Sequence, residues 1–201
     1  MDSYDFVLIV DGIDLTSDDD LDRLFEAGLD DATPSVVDSV QYLDVTREAG
    51  SYGHALFRAL REVGDAGGTI RHVFEVDEHG QPRPGLVSLS DIARRTGWSR
   101  EYVRLLAAGK RGPGGFPAPH RDAAPALYAW ADVIEWLARH PEVAASAELI
   151  TDIEREREHA GLTRFANVAL ELEQIDWERV HLRQRDVTAL LRSIRGAIEA
   201  A

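Results

Sequence analysis

Between Asp5 and Val76 the apolar residues switch repeatedly between strand spacing and helix spacing, and this alternation restricts the fold more than any other feature of the chain. Asp5 to Val10 (DFVLIV) is a short apolar run closed by Asp11-Gly12 and reads as a strand. Ser17 is placed to cap a helix, and Asp18, Asp19 and Asp20 fall in its first turn, where the helix dipole favours anions. Leu21, Leu24 and Phe25 form its apolar stripe, and Gly28 ends it. Val36 to Asp38 and Val40 to Val45 read as two strands around a tight turn at Asp38-Ser39. Ser51 caps a second helix with Ala55, Leu56, Ala59, Leu60 and Val63 on one face. Gly67-Gly68 stops that helix, and Thr69 to Val76 is a last strand.

The resulting order, βαββαβ, is the ferredoxin-like pattern, in which helices cover one face of an antiparallel sheet. The expected class is therefore α+β. A ferredoxin-like unit occupies 1–80. Residues 77–85 (DEHGQPRPG) are polar and rich in proline and glycine, which places a linker at 81–85. A central unit spans 86–140, and a helical region fills 141–201. Within that last region, Val143 to His159 reads as one helix, with Gly161 just past its end. Leu162, Phe165, Val168, Ala169, Leu172 and Ile175 then recur at helical spacing, as do Val187, Leu190, Leu191, Ile194 and Ile198. These stripes can build a homodimer interface or pack back on their own chain, and the sequence leaves both open.

Charge divides the chain sharply. The net charge is -14 over 201 residues. Residues 1–80 hold five basic and 19 acidic residues, whereas 86–140 hold eight basic and five acidic ones, a net +3. The centre is an electropositive island in an acidic protein, and such asymmetry bears on partners.

The island has its own pattern. Ser88 or Ser90 caps a short helix ending near Thr96, with Ile92 and Ala93 facing inward. Gly97 suits a tight turn, and Ser99 caps a second helix that Gly109 ends. Two short helices joined by a glycine-containing turn form a helix-turn-helix, whose second helix enters the major groove of DNA by its N-terminal part. The expected contacts on this helix are Ser99, Arg100, Glu101, Tyr102 and Arg104. Arginine can bind guanine through two hydrogen bonds, serine or tyrosine can bind phosphate, and Glu101 can accept from cytosine or pair with Arg104. Lys110 and Arg111 at the helix end suit phosphate contact. Phe116 to Pro119 and Ala126 to Trp130 read as two strands of a wing, with His120, Arg121 and Asp122 at its tip and His120 and Arg121 as further DNA contacts. Trp130, Val133, Ile134, Trp136 and Leu137 continue into a closing helix, and Phe116, Trp130 and Trp136 read as core. Arg94 and Arg95 read as a solvated face.

With these residues in place, the block 86–140 resembles the excisionase and AlpA-like branch of the MerR-type winged helix-turn-helix. The resemblance rests on Ile92-Ala93, Thr96-Gly97-Trp98-Ser99-Arg100, Val103-Arg104-Leu105, Phe116-Pro117, and Trp130 through Val133 to Trp136-Leu137. It implies the family's fold and DNA binding through the second helix and wing. The whole layout also resembles a group of poorly characterised actinobacterial regulators. On this basis the chain is expected to be a sequence-specific, double-stranded-DNA-binding transcriptional regulator.

Other classes fit less well. The seven histidines show no metal-ligand spacing, cysteine is absent, and no phosphate-binding or nucleophile motif occurs, so neither an enzyme nor a cofactor is expected. No signal peptide or ~20-residue apolar span is visible, which points to the cytoplasm and away from the membrane. The alternative is an antitoxin-like or adaptor module whose acidic N-terminal domain binds a basic protein partner.

Overall fold

The computed structural model describes residues 1–76, 80, 82–83, 85–120, 125–143 and 147–174. It is a mixed α+β structure with a curled antiparallel sheet. The strands are β1 (Asp2–Asp11), β2 (Ala32–Val37), β3 (Val40–Ala49), β4 (Thr69–Val76) and the two-residue β5 (Pro82–Arg83). Their order across the sheet is β2-β3-β1-β4-β5, so the most apolar strand, β1, lies in the middle. Leu8 sits opposite Leu43 on one side and Val73 on the other, which sends all three to the same face. Asp38 and Ser39 adopt positive φ values of 51° and 66°, the backbone that a two-residue hairpin between β2 and β3 requires. β5 lies inside the stretch that reads as a linker, because Glu75 and Val76 pair with Arg83 and Pro82.

Two helices cover the Leu8 face. They are α1 (Asp18–Ala27) and α2 (Tyr52–Asp65). Leu24 of α1 and Tyr52, Ala55, Leu56, Ala59 and Val63 of α2 are buried against Phe6, Leu8, Val10, Leu43, Val45 and Val73. Phe25, expected on the apolar stripe of α1, is instead 65% exposed. Ser51 caps α2 by accepting from the His54 N–H, whereas Ser17 makes no such bond. At the start of α1 the Asp20 carboxylate accepts the Asp14 N–H and so ties the preceding loop to the helix, and it also pairs with Arg23.

This core also encloses charge. Arg47 and Glu62 are each about 3% exposed. Arg47 donates through Nε and Nη2 to Asp31 at 2.6 and 2.7 Å and through Nη2 to the Gly28 carbonyl at 3.0 Å. Its Nη1 lies 2.6 Å from Glu62 Oε2, an ion pair out of hydrogen-bond alignment. Glu62 is also held by Arg58.

A second core follows. The pair β6 (Leu86–Val87) and β7 (Tyr128–Ala129) brackets α3 (Leu89–Thr96) and α4 (Arg100–Ala107), and α5 (Trp130–Arg139) leaves directly from β7. Val87, Ile92, Val103, Leu106, Trp130, Val133, Ile134, Trp136 and Leu137 are buried together. Trp130 therefore opens a helix rather than ending a strand.

One long helix, α6 (Ala147–Glu173), joins the two cores. It passes through Gly161 without a break, contrary to the expectation that a helix ends there. An internal glycine costs only about 1 kcal/mol relative to alanine, and packing on two sides outweighs it. Ile153 and Ala160 enter the second core, and Ala166 enters the first. Tyr52 and Thr163 share a hydroxyl hydrogen bond of 2.7 Å, and His159 stacks on Tyr52 at 4.2 Å. Asn167 caps the open edge of β4: its Oδ1 accepts from Val73 N–H at 2.8 Å and its Nδ2 donates to Val73 C=O at 2.9 Å. One amide thus does the work of a neighbouring strand. Of the described stripe, Leu162 packs against the first core, whereas Phe165 and Val168 are exposed. Ile175 and the stripe from Val187 to Ile198 lie outside the described residues. No helix among the described residues is long and apolar enough to cross a membrane.

Candidate functional site

The surface of interest is built on α3 and α4. Ser88 and Asp91 form a reciprocal capping box at the start of α3, each side chain accepting from the other residue's backbone N–H. Thr96 donates to the Ile92 carbonyl at 2.7 Å and closes the helix. Gly97 then takes φ +70°, a left-handed turn that a side-chain-bearing residue adopts only with strain. Ser99 starts α4 by accepting from the Tyr102 N–H at 3.2 Å. Its hydroxyl oxygen is therefore engaged in folding. Val103 and Leu106 point into the core, which turns Arg100, Glu101 and Arg104 outward.

These outward groups interact. Arg104 donates to Glu101 through Nε at 2.7 Å and Nη2 at 2.6 Å, a bidentate pair with both partners exposed. Glu101 is held below the usual carboxylate range, first by the hydrogen bonds from Arg104 and then by the charges of Arg104, Arg100 and Lys110. Four of the expected residues thus share one field. Tyr102 has another role. It lies half-buried, edge-on to Trp98 at 5.1 Å, with the Arg111 guanidinium 5.0 Å from its ring. It props the base of the surface and positions Arg111.

The loop after α4 is tied down by contacts the sequence does not announce. Trp136 Nε1 donates to the Gly114 carbonyl at 2.9 Å. Gly112 has φ +73°, and a Cβ there would lie 2.7 Å from Leu106. Phe116 packs edge-on against Tyr128 and Trp136, in agreement with its reading as core. The wing strands differ from expectation. Residues 116–119 form no strand, because Pro117 and Pro119 carry no N–H for a ladder. β7 pairs with β6 instead, and among the described residues a single bridge, His120–Leu127, joins the two arms of the loop. His120 is thus at the base of the loop, in the wall of a cavity of about 530 Å³ that also touches β4, α3, α5 and α6, and no α4 residue lines that wall. Arg121, with Asp122, lies outside the described residues.

Arg95 also departs from its reading as solvated. Its guanidinium lies 4.7 Å over the Trp130 ring, and burial lowers its pKa. It belongs to a charged junction between the two cores. Arg83 donates to Glu156 Oε1 at 2.8 Å and Trp130 Nε1 donates to Glu156 Oε2 at 2.8 Å. Glu75 on β4 sits beside them, and burial, followed by the charge of Glu156, pushes its carboxyl up to about 7. The place of Arg95 on the edge of the Ile92–Ala93–Thr96 face was the available signal. Arg83 and Glu156 are 73 residues apart and left none.

Among the described residues no group of three or more histidine, aspartate or glutamate side chains is gathered to hold a metal ion. No family model, curated protein or solved structure matches the chain.

Proposed function

We propose that this chain binds double-stranded DNA in a sequence-specific way and acts as a transcriptional regulator, with α4 laid in the major groove. The observation that carries this reading is the outward face of α4. Arg100, Glu101 and Arg104 project from a short, capped helix held against α3 by a glycine turn, with Lys110 and Arg111 at its end. This face is basic in a chain of net charge -14, so its charge does not follow from composition. The β6–β7 pair supports a winged unit of the MerR/excisionase kind, since it returns the glycine-rich loop to the side of α3 and α4 from which it leaves. The βαββαβ part fits the ferredoxin-like arrangement in strand order. In this reading Arg100 and Arg104 read bases, Lys110 and Arg111 hold phosphates, and Ser99 and Tyr102 support the surface.

The test is selection of bound fragments from genomic DNA, followed by affinity measurement on the recovered site. Arg100→Ala and Arg104→Ala should each weaken binding by about 1–3 kcal/mol while leaving the thermal melt unchanged. Failure to enrich any fragment, or full affinity in both variants, rules the reading out.

A further inference from the structure

The cavity of about 530 Å³ between the two cores plays no part in the proposed DNA contact, since no α4 residue lines it. Its walls come from both cores: His72, Phe74 and Glu75 on β4, Arg95 on α3 and Trp130 on α5, joined by α6. An occupant is therefore gripped by both cores at once. The size lies within the roughly 300–1,000 Å³ of small-molecule sites. Leu86 and Val168 also line it and are 39% and 47% exposed, large aliphatic side chains that the described residues leave uncovered. Phe74 lies half-buried beside His72, with ring centroids 4.5 Å apart. The polar groups are held in place. Arg95 lies over the Trp130 ring, Glu156 fixes Trp130 Nε1, and Asn167, clamped on Val73, sets its Nδ2 3.4 Å from His72 Nε2.

We propose that this cavity binds a small, flat carboxylic acid as its anion, with the carboxylate beside Arg95 and the apolar body along Phe74, Leu86 and Val168. Charge selects the anion. Arg83 and Arg95 both line the cavity. The pKa of Arg95 is lowered, first by burial and then by the charge of Arg83, and the carboxylates of Glu156, Glu75 and Asp91 do not make this good. Glu75, pushed up to about 7, carries only part of a negative charge at neutral pH. A carboxylate from outside supplies what the junction lacks, and it fits the planar fork of a guanidinium. An apolar body covers Leu86 and Val168, which gains from their removal from water. The whole chain carries -14, so an anion gains nothing from the general field and its binding reports the local charge.

Naphthoate, neutral naphthamide and cationic naphthylmethylamine share one flat body and differ in charge. In equilibrium dialysis of the full chain at pH 8, naphthoate should bind at one per chain, about tenfold tighter than naphthamide, with no binding of the amine. No binding of naphthoate, or binding of the amide or amine as tight as that of the acid, overturns the proposal. Arg95→Met keeps an apolar stem over Trp130 and loses the fork. It should reduce naphthoate to the affinity of naphthamide and leave naphthamide as in the parent chain, which shows the cavity intact; unchanged naphthoate affinity overturns the proposal. A second variant answers if Arg95→Met does not fold. Val168 is a surface side chain, so Val168→Trp should fill the mouth and abolish binding of both compounds with the thermal melt retained. Naphthoate binding that survives Val168→Trp lies elsewhere and overturns the proposal. Glu75→Gln removes the competing carboxylate and should tighten naphthoate several-fold at pH 8; unchanged or weaker binding overturns the place given to the ligand's carboxylate.

Discussion

Arg47 and Arg100 show two uses of one residue type. In the sheet unit, Arg47 lies inside, surrounded by Asp31, Glu62 and the Gly28 carbonyl. In the helical unit the interior is aromatic and aliphatic, and Arg100 and Arg104 stand outside on α4. The difference follows from charge balance. A unit with 19 acidic and five basic residues has carboxylates to surround an arginine, and a buried ion needs such a shell to persist. The basic unit closes its core with Trp130 and Trp136, draws Arg95 over the Trp130 ring and sets Arg100 and Arg104 on its surface. An arginine is thus enclosed by carboxylates in the first core, whereas the second core is closed by aromatic rings.

The contrast is broken most directly at Arg47. Arg47→Ala leaves Glu62 buried without its main partner and should cost about 3–5 kcal/mol in urea denaturation, whereas Arg100→Ala should change stability by less than about 0.5 kcal/mol. Equal effects would dissolve the distinction. Asn167→Ala, at the tie between the units, strips both backbone groups of Val73 of their partner and should cost about 1–3 kcal/mol, with faster hydrogen exchange at the Val73 amide. The helix starts sharpen the comparison further. Ser88→Ala should lose about 1 kcal/mol because its hydroxyl closes a capping box, while Ser17→Ala should lose almost nothing, since Ser17 makes no cap bond.

A pH-dependent effect concerns Glu75 at the junction. Its folded-state pKa, about 7, lies above the ordinary 4.5, so the folded chain holds this proton more tightly than the unfolded chain. Below pH 4.5 both states are protonated and the site costs nothing. Between 4.5 and 7 its contribution to stability falls as pH rises, and above 7 the full cost of the buried carboxylate is present. Glu75→Gln should therefore melt higher than the parent chain at pH 8, with the gain shrinking toward pH 4.5. A gain independent of pH would remove the carboxylate as its cause.

The boundaries legible in the sequence were those set by local chemistry. Ser51 and Ser99 cap the helices their positions predict, Ser88 rather than Ser90 caps α3, and Gly67-Gly68 ends α2. The turn at Asp38-Ser39 is in place, although β2 and β3 run further than their apolar residues suggest. What escaped was decided by distant partners. Gly161 reads as a stop, but α6 is packed on both sides. Phe165 falls on a helical apolar stripe, yet the buried face of α6 runs through Ala160, Thr163 and Ala166. Residues 116–119 read as a strand, but Pro117 and Pro119 carry no N–H for a ladder, and β7 pairs with Leu86–Val87 instead. For the candidate surface, the position of Arg100 and Arg104 followed from helix periodicity. The supporting role of Tyr102 and the burial of Arg95 depended on Arg111 and Trp130, which no spacing rule reaches.

The Asn167 amide has a consequence in time. Val73 and Asn167 are 94 residues apart, and a ribosome adding ~5–20 residues per second needs roughly 5–20 s to cover that distance. During that interval the outer edge of β4 at Val73 has emerged without its cover, and a bare strand edge is a template for pairing with another chain. The first unit of this protein must therefore be born beside its neighbours on the polysome with one side unfinished, and the strand is sealed only once Asn167 has been made and has emerged.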